Sequence, residues 1–207
     1  MHIVEERVLW DKGDYQSLRE FKKVKTDFDN AVNRVVWPPN SNDFTINPKK
    51  HGNGVKPIKD GFITYLAREG WNLEDRNMSR RSRVGSGSHP GAFDCSFEFE
   101  TSLASFAIEW ETGNISSSHR SIDRLALGIR NKYLSGGFLV VPTKRLATFL
   151  TDRIGNEAEL EPYTSLWHSM GCGMPTPSFL SIVSIEHEYE SETVDYIPKG
   201  TDGRALR

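Results

Sequence analysis

A chain of 207 residues suits one α/β domain with a sizeable core, and a net charge of −2 with an isoelectric point of about 6.3 excludes a protein that coats nucleic acid through bulk positive charge. Cys95 and Cys172 are the only cysteines and stand far apart, which excludes a disulfide framework and a paired-cysteine zinc site. No apolar run approaches a membrane span and the opening Met-His-Ile-Val-Glu-Glu-Arg lacks a signal pattern, so the chain is expected to be cytoplasmic, with no membrane partner.

Leu18, Phe21, Val24, Phe28, Val32 and Val35 recur at spacings of three and four, which predicts an amphipathic helix within residues 15–36, ended by Trp37-Pro-Pro. From Asn40 to Gly54 the chain is polar and turn-rich and reads as a loop. Lys49, Lys50, Lys56 and Lys59 gather in or beside it, and solvation and phosphate contact explain them equally well. A second helix is expected from Pro57 to Arg68, with Ile58, Phe62, Tyr65 and Leu66 on one face, proline in its first turn and Gly70 at its end. Glu74 alone reads as a surface glutamate. The stretch Arg80-Arg-Ser-Arg83-Val-Gly-Ser-Gly-Ser is basic and glycine-rich, suited to tracking a phosphate backbone.

The centre of the chain alternates. Phe93, Cys95, Phe97 and Phe99 interleave with Asp94, Ser96, Glu98 and Glu100, and a second run sets Phe106, Ile108 and Trp110 opposite Ala107, Glu109 and Glu111. A period of two predicts two strands, with Glu109 and Glu111 on one face and Asp94 able to join them if the strands pair. Carboxylates that converge raise one another's pKa unless a cation sits between them. An all-oxygen ligand set of this kind suits Mg2+, as at phosphodiester-cleaving sites. The same pattern also describes a half-exposed hairpin with solvated carboxylates.

After the hairpin, Asn114 or Ser116 is placed to cap a helix whose Ile122, Leu125, Ala126, Ile129 and Tyr133 form a seam, either core or oligomer contact. Gly136 to Pro142 reads as a buried central strand, and a helix from Thr143 to about Thr151 leads into Asp152-Arg153. Residues 156–170 predict a further helix and 179–185 a last strand. The tail 198–207 is too short and glycine-bearing to form much. No internal repeat appears.

The run Glu109-Trp-Glu111-Thr-Gly-Asn-Ile-Ser-Ser-Ser-His-Arg120-Ser strongly resembles the BamHI-like, GGATCC-cutting type II restriction endonucleases. Further blocks match in the same order: Phe44-Thr-Ile-Asn, Asn53-Gly-Val-Lys-Pro-Ile-Lys59, Phe149-Leu-Thr-Asp152-Arg153, Glu159-Leu-Glu-Pro-Tyr163 and Ile197-Pro-Lys-Gly-Thr-Asp202-Gly203.

The resemblance implies one α/β domain over 1–207, a central mixed sheet flanked by helices of the PD-(D/E)XK type, with 196–207 as a DNA-contacting tail. Glu111 stands where that motif usually has lysine, which is also the BamHI-like variation. By resemblance Asp94 is shared by two Mg2+ ions, for which Mn2+ would substitute. Glu109 and the Trp110 carbonyl serve one ion, Glu74 the other, and Glu111 is the general base. Asn114, Ser116, Arg120, Asp152, Arg153 and Asp202 match base-reading positions, and the match around Lys59 assigns it to DNA.

A palindromic site calls for a homodimer, and the system implies a cognate methyltransferase that protects the host. In the resembling enzymes the helix after Asn114 lies in the dimer interface, although Arg130 and Asn131 here face a segment with Ser165 and His168 instead of acidic partners. Two alternatives stand beside this reading: a nuclease of the same superfamily with another specificity, and a DNA-binding protein that no longer cuts.

Overall fold

The computed structural model describes residues 1–75, 91–151 and 153–199. The Arg80–Arg83 stretch, Asp152 and Asp202 lie outside the described residues.

The chain opens with a strand that the alternation did not reveal, β1 (His2–Lys12), followed by a 3-10 turn at Tyr15–Ser17 and α1 (Arg19–Asn33). The expected loop at 40–54 contains a two-residue strand, β2 (Thr45–Ile46). It leads to α2 (Lys56–Arg68), β3 (Asn72–Asp75), β4 (Phe93–Phe97) and β5 (Ser105–Trp110). Next come α3 (Ile115–Arg130), β6 (Leu134–Pro142) and α4 (Lys144–Phe149). The helix expected over 156–170 is broken in two. α5 (Glu157–Leu160) gives way to a 3-10 turn at Glu161–Tyr163 before α6 (Thr164–Gly171), because Pro162 lacks the N–H a continuous helix needs. β7 (Ser178–Glu186) and β8 (Tyr189–Glu190) are the last elements among the described residues.

Six strands form one mixed sheet in the order β1-β7-β6-β5-β4-β3, with β2 and β8 paired separately in parallel. β5, β6 and β7 run parallel to one another, while β1, β4 and β3 pair antiparallel on the flanks. All nine residues of β6 and all nine of β7 are buried, as central parallel strands covered on both faces require.

The alternation read from β5 is correct, but neither face meets water. Phe106, Ile108 and Trp110 pack with Phe21, Val24 and Phe28 of α1 and Phe62 of α2. Phe138 is the hub of that layer, its ring 4.6 Å from Phe28 and 4.8 Å from Phe106. Ala107 faces the other layer, where Ile122, Leu125, Ala126 and Ile129 of α3 pack with Leu139, Val141, Leu180 and Trp167. The α3 seam is therefore intrachain core, which resolves the choice left open by its spacing. β4 stops at Phe97, three residues short of the expected end at Glu100, so Phe99 packs against the core from outside the sheet.

Candidate active site

β4 and β5 pair with Cys95 opposite Ile108, which brings Asp94 beside the end of β5. Asp94 Oδ2 accepts from the Trp110 backbone N–H at 2.8 Å, and the Asp94 N–H points to Glu109 Oε2 at 3.4 Å. Asp94 thus meets Glu109 and the end of β5 through the backbone of the hairpin itself, while Glu111, expected on the same strand, lies one residue beyond its end.

Asp94, Glu109 and Glu111 each already have a side-chain partner. Lys59, on α2, places Nζ 2.5 Å from Asp94 Oδ1, so the lysine assigned to DNA stands inside the carboxylate cluster. Glu109, only 1 % exposed, pairs with Arg124 of α3. Burial pushes the Glu109 carboxyl up to about 8, Arg124 pulling against it and the charges of Asp94 and Glu111 adding to it. Glu111 accepts from the Ser121 hydroxyl at 2.5 Å. Its carboxyl is raised above the ordinary value first by burial, against the Ser121 hydrogen bond, with Asp94 adding to the rise.

Glu74 lies on β3, whose register of Leu73 with Cys95 and Asp75 with Phe93 sets it across from Asp94. It is exposed and has a left-handed backbone, φ 44°. Among the described residues no group of three or more His, Cys, Asp or Glu side chains is gathered so as to hold a metal. The donors themselves fit a hard divalent cation: they are carboxylate oxygens and one backbone carbonyl, and two of the carboxylates are met by a side-chain cation.

The candidate reading residues cluster one step further along. Asn114, rather than Ser116, caps α3, its side chain accepting from the Ser117 N–H at 3.3 Å. Ser116 and Arg120 are exposed on the first turns of the same helix. Arg153 is exposed in a left-handed turn, φ 68°, and the Gly155 N–H donates to Gly113 O at 2.8 Å, tying that turn to the start of α3. Tail residue Ile197 is buried: its N–H donates to Asn53 Oδ1 at 3.2 Å, and its carbonyl accepts from Gly54 N–H at 2.7 Å. The sequence reading missed this anchor, along with Ser121 and Arg124. Asn53 and Gly54 fell in the stretch read as a loop, and nothing in linear spacing tells which carboxylate a helix residue ten or fifteen positions away will meet. His168, considered as a dimer-facing residue, is held within the chain by the Leu9 carbonyl at 2.6 Å from Nδ1.

A family model described as Restriction endonuclease BamHI matches residues 1–204. The type II restriction enzyme OkrAI of Oceanobacter kriegii is 41% identical over 207 residues, 100% of this chain and 100% of that protein. The type II restriction enzyme BamHI of Bacillus amyloliquefaciens is 35% identical over 191 residues, 90% of this chain and 83% of that protein. The crystal structure of restriction endonuclease BGLII complexed with a DNA 16-mer matches with a TM-score of 0.57 at 6% identity, over 92% of this chain and 81% of that one, a likeness of fold alone.

Proposed function

This chain belongs to the BamHI restriction endonuclease family, and from that premise we propose that it is a homodimeric type II enzyme that cuts double-stranded DNA at GGATCC, between the two guanines, with Mg2+. The observation that carries the proposal is the meeting of Asp94, Glu109 and Glu111 where β4 and β5 deliver the chain to the capped start of α3.

Asp94, Glu109, the Trp110 carbonyl and Glu74 would hold the divalent cations, Mg2+ or in its place Mn2+. Bound there, a pair of such ions supplies charge for the attacking and leaving oxygens and lowers the pKa of the attacking water. Glu111 takes the proton from that water. Its half-buried carboxyl is suited to this: burial brings its proton affinity nearer to the working pH, and Ser121 fixes one of its oxygens so that the other is free to accept. Lys59 neutralises Asp94 until DNA and metal arrive, and its partly exposed amine would then turn to a phosphate.

Asn114, Ser116, Arg120, Arg153, Asp152 and Asp202 read the bases, the arginines suited to guanine O6 and N7 and the carboxylates to cytosine N4. The dimer does not use the α3 seam, which is spent on the core. It forms instead on neighbouring surface that includes Tyr163 and Leu166, 46 % and 58 % exposed. A methyltransferase of the same specificity would protect host DNA.

The test is a digest of a plasmid of known sequence in Mg2+ with the fragment ends sequenced. Ends at GGATCC bearing single-stranded GATC support the proposal. Ends at another common site, ends with no common sequence, or intact plasmid would replace it with a nuclease of different specificity, a structure-selective nuclease or a non-cleaving DNA-binding protein respectively.

A further inference from the structure

Two polar side chains of α3 point away from solvent and toward the cutting strand. Ser121 donates to Glu111 at 2.5 Å, and Arg124, three residues later, pairs with Glu109. Residues three and four apart share a helix face, so these two contacts fall on successive turns of one edge. The same edge continues outward: Ser116, Arg120 and Arg124 recur every four residues, the first two exposed toward the expected DNA side and the third only 12 % exposed.

Arg124 is held from several directions. Its guanidinium lies 5.3 Å from the centre of the Phe93 ring. Its Nη1 occupies the space beside Gly91, where a Cβ would come within 2.9 Å. Such confinement fits an arginine fixed in one pose more than one that sweeps out to a phosphate. A buried ion pair is a poor source of stability, since the desolvation of both charges offsets their attraction and an apolar pair of the same volume does as well or better. What the pair does supply is a defined orientation of a carboxylate that would otherwise repel Asp94 and Glu111.

We propose that Ser121 and Arg124 are positioning residues that fasten the carboxylates of Glu111 and Glu109 to the DNA-reading helix, so that a wrong base met at the start of α3 is transmitted to the cutting geometry. The inference rests on the nuclease reading above. It assigns a structural means by which discrimination is exerted in the cleavage step as well as in binding: a tilt of α3 moves two carboxylates together, and a displacement of about 1 Å at a reacting centre is enough to cost on the order of 100-fold in rate.

The experiment compares the full chain with Arg124→Met, Arg124→Lys and Ser121→Ala. Single-turnover cleavage in Mg2+ is measured on the GGATCC duplex and on one with a single base pair changed, and binding of both duplexes is measured in Ca2+. Arg124→Met should slow cognate cleavage by about 10- to 100-fold, the usual cost of removing the partner that orients a metal-binding side chain. Binding of the cognate duplex should hold, and the cognate-to-altered ratio of cleavage rates should shrink. Arg124→Lys should recover part of both. Ser121→Ala should shift the same ratio with little change in fold, and it decides the matter if Arg124→Met does not fold.

A urea-unfolding cycle of Arg124→Met with Glu109→Gln reads the pair without any catalysis. The single changes should each lower the midpoint, and the double change should lower it by less than their sum. Additive midpoints, or a cleavage ratio unchanged in Arg124→Met and Ser121→Ala, would overturn the inference. Failure of the unaltered chain to cut any duplex would instead overturn the nuclease reading.

Discussion

Gly54 is the position at which one added carbon has the largest calculable consequence. A Cβ there would stand 1.9 Å from Pro198 O, 2.5 Å from Pro198 C and 2.7 Å from Lys199 Cα, all backbone atoms that cannot rotate away. Gly54→Ala must therefore push the chain after Asp195 off the 47–54 segment. Upstream the chain stays fixed, because Trp37 Nε1 donates to Asp195 O at 2.8 Å and Asn47 Nδ2 to Val194 O at 3.0 Å. What is lost is the burial of Ile197, about 1.5–3 kcal/mol, and two hydrogen bonds at about 0.5–1.5 kcal/mol each, a total of about 2.5–6 kcal/mol. Against a domain stability on the order of 5–15 kcal/mol this is a large fraction.

The assay is urea unfolding at fixed temperature, joined to limited trypsin cleavage at Lys199. The variant should show a lower midpoint and faster cutting at the tail. If the tail also reaches DNA, cognate binding in Ca2+ should weaken, while Ile197→Ala, which removes the anchor without the clash, should repeat the effect in weaker form. A Gly54→Ala protein with unchanged midpoint and unchanged tail cleavage would refute the argument that Ile197 is clamped through this glycine.

Glu111→Gln should leave cognate binding in Ca2+ intact or tighter and reduce single-turnover cleavage by about 10²–10⁴-fold, with no rescue by added Mg2+; near-normal cleavage would remove Glu111 from the role of base. Arg153→Ala should lose about 1–3 kcal/mol of binding per half-site on the cognate duplex alone, whereas equal weakening on a scrambled duplex at two salt concentrations would make it a backbone contact. Burial alone would raise the Glu186 carboxyl, but hydrogen bonds from His187 and Thr143 outweigh it and hold the group below its ordinary value of 4.5. Its contribution to stability is therefore fully present above that value and is lost as pH falls through the lower folded one; Thr143→Val should flatten this acid limb of the urea midpoint, and an unchanged limb would assign it to other carboxylates.

How much of this was legible depended on whether a residue's partner was set by local geometry. The faces of β5 followed from a period of two, and the apolar seam of α3 from a period near 3.6, so Glu109 and Glu111 were legible on one face, with Asp94 joining them on the condition that the two strands pair, as they do. Burial of the polar face was not legible, because it depends on α3 crossing the sheet, and alternation looks the same whether the second face meets water or a helix. β1 escaped notice because it is an edge strand, its apolar Val8, Leu9 and Trp10 crowded at one end behind Glu5, Glu6 and Arg7. The break at Glu161–Tyr163 had its signal in Pro162, which the apolar spacing around it masked. Lys59 fell within the helix expected from Pro57 and was assigned to DNA; its pairing with Asp94 was not legible, because spacing along α2 does not tell which carboxylate of the sheet its amine will meet.

The outer edge of β1 also constrains how two copies of this chain meet. Its pairing with β7 slips between Ile3 and Glu5 and again between Val8 and Trp10, and Glu5 and Arg7 pair with each other along the strand. Irregular register and charge are the features that keep an exposed strand from recruiting a second one, so a continuous sheet running through both subunits is disfavoured at this border. A two-fold partner is thereby directed toward helical surface. In the proposed dimer, two copies joined through helices would keep their sheets separate, and each carboxylate edge would be free to approach its own strand of a duplex lying between them.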